Sequence, residues 1–365
     1  MQEKTIHLIA GARPNFMKIA PIVRALEGHG WLRYRVIHTG QHYDREMSEV
    51  FFEELGIPAP DRYLEAGGGS HAEQTARIME RYEKVCMEES PDLVVVVGDV
   101  NSTLACSVVA KKLHVPVAHV EAGLRSGDMR MPEEVNRVVT DAISDLYFVT
   151  ERAGVDQLLA EGKPQEAIHF VGHVMIDNLY YQLRRLEEGA ADRISEALKA
   201  EFPAYGVVTL HRPSNVDQPE TLAPIIGALS GISRELPLIF PVHPRTRGNL
   251  ERFGIDVPET IRLTAPLPYM AFLNLWKDAR VVLTDSGGIQ EETTALGVPC
   301  ITIRENTERP VTVEQGTNVL VGTDPQRILE EAGKVLAGQG RQGRIPELWD
   351  GRAAERIVEV LERSL

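Results

Sequence analysis

The segment Ala279–Gly297, ARVVLTDSGGIQEETTALG, runs from a β-branched apolar stretch through Asp285, Ser286, Gly287 and Gly288 into a helix whose first turns carry Gln290, Glu291 and Glu292. Strand, glycine turn and helix in that order form the repeating unit of a parallel α/β sheet. Two adjacent glycines let the backbone come close to a ligand. The free N–H groups and the dipole of the helix start then favour an anion such as a diphosphate. A plain Asp or Ser cap would explain the turn without a ligand, and Glu291 and Glu292 would by themselves be ordinary partners of the helix dipole.

The same alternation extends in both directions. TIHLIAG, RVIHTG, DLVVVVGD, VPVAHVEAG, DLYFVT and IHFVGH are buried-strand runs separated by helical stretches such as MKIAPIVRALEGHG and TLACSVVAKKLHV. A second series starts near Gly206 with YGVVTLH, LPLIFPVHP, IRLTAP, ARVVLTDSGG, VPCITIRE and TNVLVGT. Two α/β domains are therefore expected, residues 1–172 and 173–351, joined by the helical segment VMIDNLYYQLRRLEEGAADRISEALKAEF. Neither half carries G-x-G-x-x-G after its first strand, and no G-x-x-x-x-G-K-[ST] occurs, which argues against a dinucleotide oxidoreductase and a P-loop kinase. Ligands of such sheets bind beyond the carboxyl ends of the strands, and the cleft between two such domains is the expected site.

Composition narrows the class further. The 365 residues are 43% hydrophobic and 25% charged, with a formal net charge of -14. An acidic balance argues against nucleic-acid and membrane surfaces, which favour a basic face. No run of about 18 apolar residues occurs, and MQEKTIHLIAG passes straight into a strand with no leader pattern, so a cytoplasmic protein is expected. Cys86, Cys106 and Cys300 lie far apart, as neither a disulfide framework nor a zinc site would have them, and read as small buried residues. His169 and His173 are four apart but strand-like, and no other metal-ligand pattern appears, so no metal and no cofactor are expected.

In an acidic chain the cations that follow strands are informative: Arg13, Lys18, His211, Arg212, His243, Arg245 and Arg309. Carboxylates gather in the first domain. Asp99 follows the buried run VVVV, ahead of a helix that Asn101 or Ser102 would already cap; Glu121 ends the next strand, near a glycine that would admit a sugar. Pro132 opens a helix bearing Glu133, Glu134 and Arg137, which is also ordinary helix-start chemistry. Carboxylates on one wall, with cations and a helix dipole on the other, suit removal of a proton from a sugar carbon while a nucleoside diphosphate departs.

GARPNFMK, HTGQHYDREM, GDVNSTLA, HVEAGLRSGD, MPEEVNR, LHR, PVHP, LTDSGGIQEE and RENTERP, in this order between about Gly11 and Thr323, resemble the non-hydrolysing UDP-N-acetylglucosamine 2-epimerase family. The resemblance implies a GT-B arrangement of two Rossmann-like domains, a homodimer, a C-terminal helix (about 352–365) that packs back on the first domain, and a role in cell-surface polysaccharide biosynthesis. It implies anti elimination of UDP to a 2-acetamidoglucal and syn re-addition with C2 inverted, converting UDP-GlcNAc to UDP-ManNAc. By matching motif, Asp99, Glu121, Glu133 and His211 take the catalytic roles. Arg13, Lys18, Arg137, His243, Ser286, Gly287, Gly288, Glu292 and Arg309 bind substrate, with Leu267 and Phe272 of APLPYMAFL against the uracil. Gln41 and His42 match a regulatory UDP-GlcNAc motif, although GGGSHAEQT lacks the E-R-Q pattern that accompanies it. ARPNF and TLHRPSN depart from the forms T-R-P-E and G-H-R-R-E, and relatives with A-R-P-x-F, GGGSH-like and RMPEE segments include enzymes acting on UDP-2,3-diacetamido-2,3-dideoxyglucuronic acid. The extra carboxylate of that sugar would suit Arg130 or Arg212. A UDP-sugar glycosyltransferase, a hydrolysing epimerase and a sugar-nucleotide sensor are the competing functions, since a diphosphate turn serves them all.

Overall fold

The structure, a computed structural model, describes residues 3–40, 51–189 and 193–365. The chain divides into two compact units, Met1–Tyr181 with Glu347–Leu365, and Gln182–Pro346. The division falls within a helix, Val174–Glu187, rather than at Gly172, because Val171 and Val174 belong to the apolar core of the first unit.

In the first unit, β1 (Lys4–Ala10), α1 (Arg13–Leu26), β2 (Leu32–His38), β3 (Arg62–Tyr63), α2 (His71–Glu89), β4 (Leu93–Val97), α3 (Asn101–Lys112), β5 (Val117–Val120), α4 (Pro132–Ile143), β6 (Leu146–Val149), α5 (Arg152–Ala160), β7 (Ile168–Phe170) and α6 (Val174–Glu187) alternate along the chain. Seven parallel strands lie in the order β3-β2-β1-β4-β5-β6-β7. Side chains of a strand alternate between faces. Ile6, Leu8, Leu93, Val95 and Val97 accordingly enter one core with α1, while Ile9, Val94 and Val96 enter another with Ile78, Tyr82, Ala105 and Val109 of α2 and α3. Both faces being covered, β4 is apolar throughout.

In the second unit, α7 (Arg193–Glu201), β8 (Gly206–Thr209), α8 (Pro213–Val216), α9 (Pro219–Ile232), β9 (Leu238–Pro241), α10 (Pro244–Phe253), β10 (Ile261–Thr264), α11 (Tyr269–Trp276), β11 (Val281–Thr284), α12 (Gly287–Leu296), β12 (Cys300–Thr302), α13 (Pro310–Glu314), β13 (Asn318–Leu320) and α14 (Pro325–Leu336) build a six-stranded parallel sheet, β10-β9-β8-β11-β12-β13. The first six strands of each unit thus share one doubly wound order, with the switch point between the first and fourth strands. Two Rossmann-like units in one chain are the content of a GT-B fold.

The terminal helix α15 (Ala353–Ser364) belongs to the first unit: Ala353, Ala354, Ile357, Val358 and Leu361 join the core that α1 lines. Its N-terminus is capped from afar, Asp177 of α6 accepting from the Ala353 and Ala354 N–H groups at 3.1 and 2.7 Å. Burial pushes the Asp177 carboxyl up to about 6, despite those two donors. Cys86, Cys106 and Cys300 are buried free thiols, Cys86 and Cys300 raised to about 11 by burial. No helix among the described residues is long and apolar enough to cross a membrane.

Candidate active site

The first unit's switch point is the gap between β1 and β4, and both strands end there in short, tightly held turns. After β1, the Gly11 and Ala12 N–H groups donate to Asn15 Oδ1 at 3.2 and 2.9 Å, and Asn15 Nδ2 donates to the Val97 carbonyl at 3.2 Å. Asn15 of ARPNF therefore ties the β1 turn to the end of β4. A Cβ on Gly11 would collide with the Ser102 and Thr39 hydroxyls, so the glycine serves close packing. Arg13 starts α1 and is exposed, its guanidinium carbon 4.9 Å from the centre of the Phe51 ring.

Lys18, one turn into α1, is buried and forms an ion pair with Glu121. Gly98 makes room for that pair: its φ is +66°, and a Cβ there would lie 2.7 Å from Lys18 Nζ and 3.5 Å from Glu121 Oε2. Glu121 is itself buried, with φ at +75°, a left-handed backbone that costs a glutamate about 1–3 kcal/mol. The Glu121 and Ala122 N–H groups both donate to the Phe148 carbonyl, at 2.9 and 3.2 Å, which holds that conformation. Strain of this kind persists where surrounding structure over-determines it and clusters at functional sites. The glycine beside Glu121 has another purpose than the one expected: a Cβ on Gly123 would strike the Gly154 backbone, so Gly123 admits α5 and not a sugar.

Asp99 follows Gly98, and its carboxylate accepts from Arg137 Nη2 at 2.5 Å. The helix behind it is not capped by Asn101 or Ser102: Val100 is the N-cap, Asn101 bonds Gln74 of α2, and Ser102 meets Thr39. Buried Arg137 also donates to Glu134 Oε2 at 2.8 Å. Glu134 accepts from the Ser126 and Gly127 N–H groups, both at 2.9 Å, and braces the loop after β5. Burial raises its carboxyl, but these donors and Arg137 pull it below the usual range. Glu133, one residue earlier, is exposed on the first turn of α4.

One cluster here escaped the sequence analysis. His119 of β5 is wholly buried, with Nδ1 2.6 Å from Asp141 Oδ1 and Nε2 2.9 Å from the Gly98 carbonyl oxygen. Asp141 also accepts from Arg125 Nη1 at 2.7 Å and the Gly123 N–H at 3.0 Å. Burial opposes ionisation of Asp141, yet the charges and hydrogen bonds of His119 and Arg125 hold it below the usual carboxylate range. The signal available in the sequence was a polar side chain inside an otherwise apolar strand, VAHV.

In the second unit the switch point lies between β8 and β11. The two glycines of DSGG are the first two residues of α12, with Ser286 at the N-cap and its side chain making no capping bond. A Cβ on Gly287 or Gly288 would meet nothing within 4 Å, so the first turn has open space beside both glycines. Asp285 caps nothing on its own helix. It accepts from the N–H groups of His211 (3.0 Å) and Arg212 (2.8 Å) and from Asn215 Nδ2 (3.2 Å), fastening the turn after β8 beside the helix start. Burial raises its carboxyl, but His211, with Nδ1 3.0 Å away, and these donors lower it on balance.

Glu291 and Glu292 are buried, and both have side-chain partners beyond the helix dipole: Glu291 forms an ion pair with Arg309, and Glu292 accepts from the Tyr269 hydroxyl at 2.8 Å. Tyr269 is a second residue the sequence analysis missed. Gln290, fully buried, links the DSGG turn to RENTERP, donating to the Ser286 carbonyl at 3.1 Å and accepting from Thr307 Oγ1 at 2.6 Å. Thr307 in turn receives the Arg309 N–H at 3.0 Å. Arg304 forks onto Glu308 at 2.9 and 2.7 Å, and although burial raises that carboxyl, the arginine draws it down to about 2. Leu267 and Phe272 are half-buried before and within the first turn of α11, so Phe272 is not a core residue. His243 is the exposed N-cap of α10, its ring centre 6.3 Å from that of His211.

Other expected residues lie elsewhere. Arg245 is spent on an exposed pair with Asp217, and Arg130 on one with Asp128, two residues away. Gln41 and His42 lie outside the described residues.

The description "UDP-N-acetylglucosamine 2-epimerase" belongs to a family model that matches residues 24–362. A UDP-N-acetylglucosamine 2-epimerase of Methanococcus maripaludis is 41% identical over 98% of this chain and 98% of its own. A UDP-2,3-diacetamido-2,3-dideoxy-D-glucuronate 2-epimerase of Pseudomonas aeruginosa is also 41% identical, over 97% of this chain and 98% of its own. The crystal structure of the Methanocaldococcus jannaschii UDP-GlcNAc 2-epimerase in complex with UDP-GlcNAc and UDP superposes with a TM-score of 0.85 at 41% identity, covering 98% of this chain and 99% of that one. Fold, ordered motifs and relatives agree: the chain belongs to the UDP-N-acetylglucosamine 2-epimerase family and is an enzyme, an isomerase.

Proposed function

We propose that the chain interconverts the C2 epimers of a UDP-2-acetamido sugar, UDP-GlcNAc and UDP-ManNAc. The observation that carries this is the contrast between switch points: Asp99 and Glu121, each on a cation, in the first unit, and an open helix start flanked by His211 and Arg309 in the second. Ser286, Gly287, Gly288, Arg309 and His243 hold the diphosphate; Glu292 takes the ribose, and Leu267 and Phe272 the uracil. A carboxylate among Asp99, Glu121 and Glu133 removes the C2 proton as the C1–O bond breaks anti to it, leaving a 2-acetamidoglucal and UDP. UDP then adds back at C1, and a proton returns to the other face of C2. Lys18, Arg137 and Arg13 orient the sugar and the carboxylates, and His211 with the helix dipole steadies the departing phosphate. The archaeal relatives' substrate supports UDP-GlcNAc, and the family resemblance supports a cytoplasmic homodimer.

A second substrate, the diacetamido uronate nucleotide, is favoured by one observation: Arg212, with Nε on the Asp285 carbonyl at 3.2 Å, is fixed beside the phosphate turn, where a sugar carboxylate would find it. Incubation with each nucleotide, followed by proton NMR, tests the assignment. UDP-ManNAc forming from UDP-GlcNAc with UDP still attached is expected. Turnover of the uronate alone would transfer the assignment to the second substrate, and free N-acetylmannosamine as the main product would contradict the non-hydrolysing course.

A further inference from the structure

We propose that His119 and Asp141 are positioning residues for this reaction, holding in register the two backbone turns that carry Asp99 and Glu121. The proposal rests on the reading of those carboxylates as the acid and base. Three observations support it. His119 reaches the Gly98 carbonyl, the residue before Asp99, at 2.9 Å, and that glycine has the left-handed φ around which Lys18 and Glu121 pack. Asp141, on α4, grips His119 at 2.6 Å and the Gly123 N–H at 3.0 Å, so one carboxylate fixes the chain two residues before Glu121 and two residues after it. Arg125 completes the anchorage, bonding Asp141 at 2.7 Å and forking onto Glu161 at the end of α5 at 2.9 and 2.8 Å.

A buried ionic chain of this kind is no certain gain in stability, because desolvation offsets much of the attraction. Its value lies in geometry. Gly98 tolerates many backbone conformations, and Glu121 occupies a strained one; without a brace each would relax and carry its neighbouring carboxylate away. Misplacement by about 1 Å costs on the order of 10²-fold in rate. Neither His119 nor Asp141 touches substrate in this account, so binding of UDP through the second unit stays intact.

His119→Leu, His119→Gln and Asp141→Asn are compared with Asp99→Asn in one assay of epimerisation, with KM, kcat, its pH profile, UDP affinity by calorimetry and the unfolding midpoint all measured. His119→Leu is expected to lower kcat by about 30- to 100-fold with KM and UDP affinity within about twofold, and to displace the pH profile of kcat. Glutamine carries a donor that reaches the Gly98 carbonyl, so His119→Gln should recover most of the loss. Asp141→Asn keeps volume and an acceptor for Gly123, and a lowered kcat at unchanged KM in that variant supports the proposal even should His119→Leu fail to fold. Full turnover by His119→Leu or Asp141→Asn, beside an inactive Asp99→Asn, overturns the proposal and leaves the carboxylates' role standing. Equal losses in the leucine and glutamine variants overturn it as well. Full turnover by Asp99→Asn would instead remove the reading on which it rests.

Discussion

The two units share a strand order and differ in what stands at its switch point. In the first unit the turns after β4 and β5 present Asp99 and Glu121, each held by a cation drawn from a helix, Arg137 and Lys18. In the second, the acidic residue at the equivalent place, Asp285, is fully buried and held by the His211 and Arg212 N–H groups, the Asn215 amide and the His211 ring, so the turn after β8 is fastened beside the helix start. On the proposed reading, one topology yields a place for proton transfer where its carboxylate meets a helix-borne cation, and a place for phosphate where its carboxylate is taken up by the neighbouring turn. Fold alone does not assign the chemistry.

The contrast predicts its largest effect in the first unit. Asp99→Asn should lower kcat by about 10³-fold, about 4 kcal/mol in the barrier, while UDP affinity measured by calorimetry stays unchanged. A parallel loss of affinity would dissolve the division of labour between the units.

The next effect is on stability, and two carboxyls, Glu308 of the second unit and Asp177 of the first, should respond to acid with opposite sign. Glu308, at about 2 against an ordinary 4.5, stabilises the fold fully above about pH 4.5 and loses that contribution, about 3 kcal/mol, as pH falls through 2. Asp177, at about 6 against 3.8, costs the fold its ionisation, so about 3 kcal/mol is regained between pH 6 and 4. Urea unfolding of the protein against Glu308→Gln and Asp177→Asn across this range separates the two slopes. A common sign would show that one of the two environments is misassigned.

Smaller effects belong to the phosphate side. Arg309→Ala should weaken UDP-sugar binding by about 10- to 30-fold, since it removes a charge-assisted contact, with kcat falling less. Equal losses in binding and kcat would place Arg309 among the reacting groups. Tyr269→Phe, which deprives buried Glu292 of a donor, should weaken UDP binding by about 5-fold.

How much of this the sequence discloses follows from the range of the interactions. Strand runs and the helix start at Ser286 depend on local patterning, and they were legible as a two-domain parallel α/β chain. The positions of Asp99 and Glu121 just past buried strands were legible for the same reason. What Asp285 does was not, because its partners His211, Arg212 and Asn215 lie some 70 residues away in sequence. The caps proposed at Asn101 and Ser102 failed for a similar reason: Gln74 and Thr39, brought in by α2 and by the turn after β2, compete for those side chains. Gly123 looked like an opening for a sugar, since only the packed structure reveals Gly154 against it. Adjacent Glu133 and Glu134 are indistinguishable by helix-start chemistry, yet one is exposed and the other braces a loop.

Proton NMR of the epimerisation in deuterium oxide tests the central claim most directly, that first-unit carboxylates remove and return the C2 proton while UDP waits in the second. The account predicts that every molecule of epimerised product carries deuterium at C2, with no free sugar accumulating. Epimerised product that retains hydrogen at C2 would contradict it.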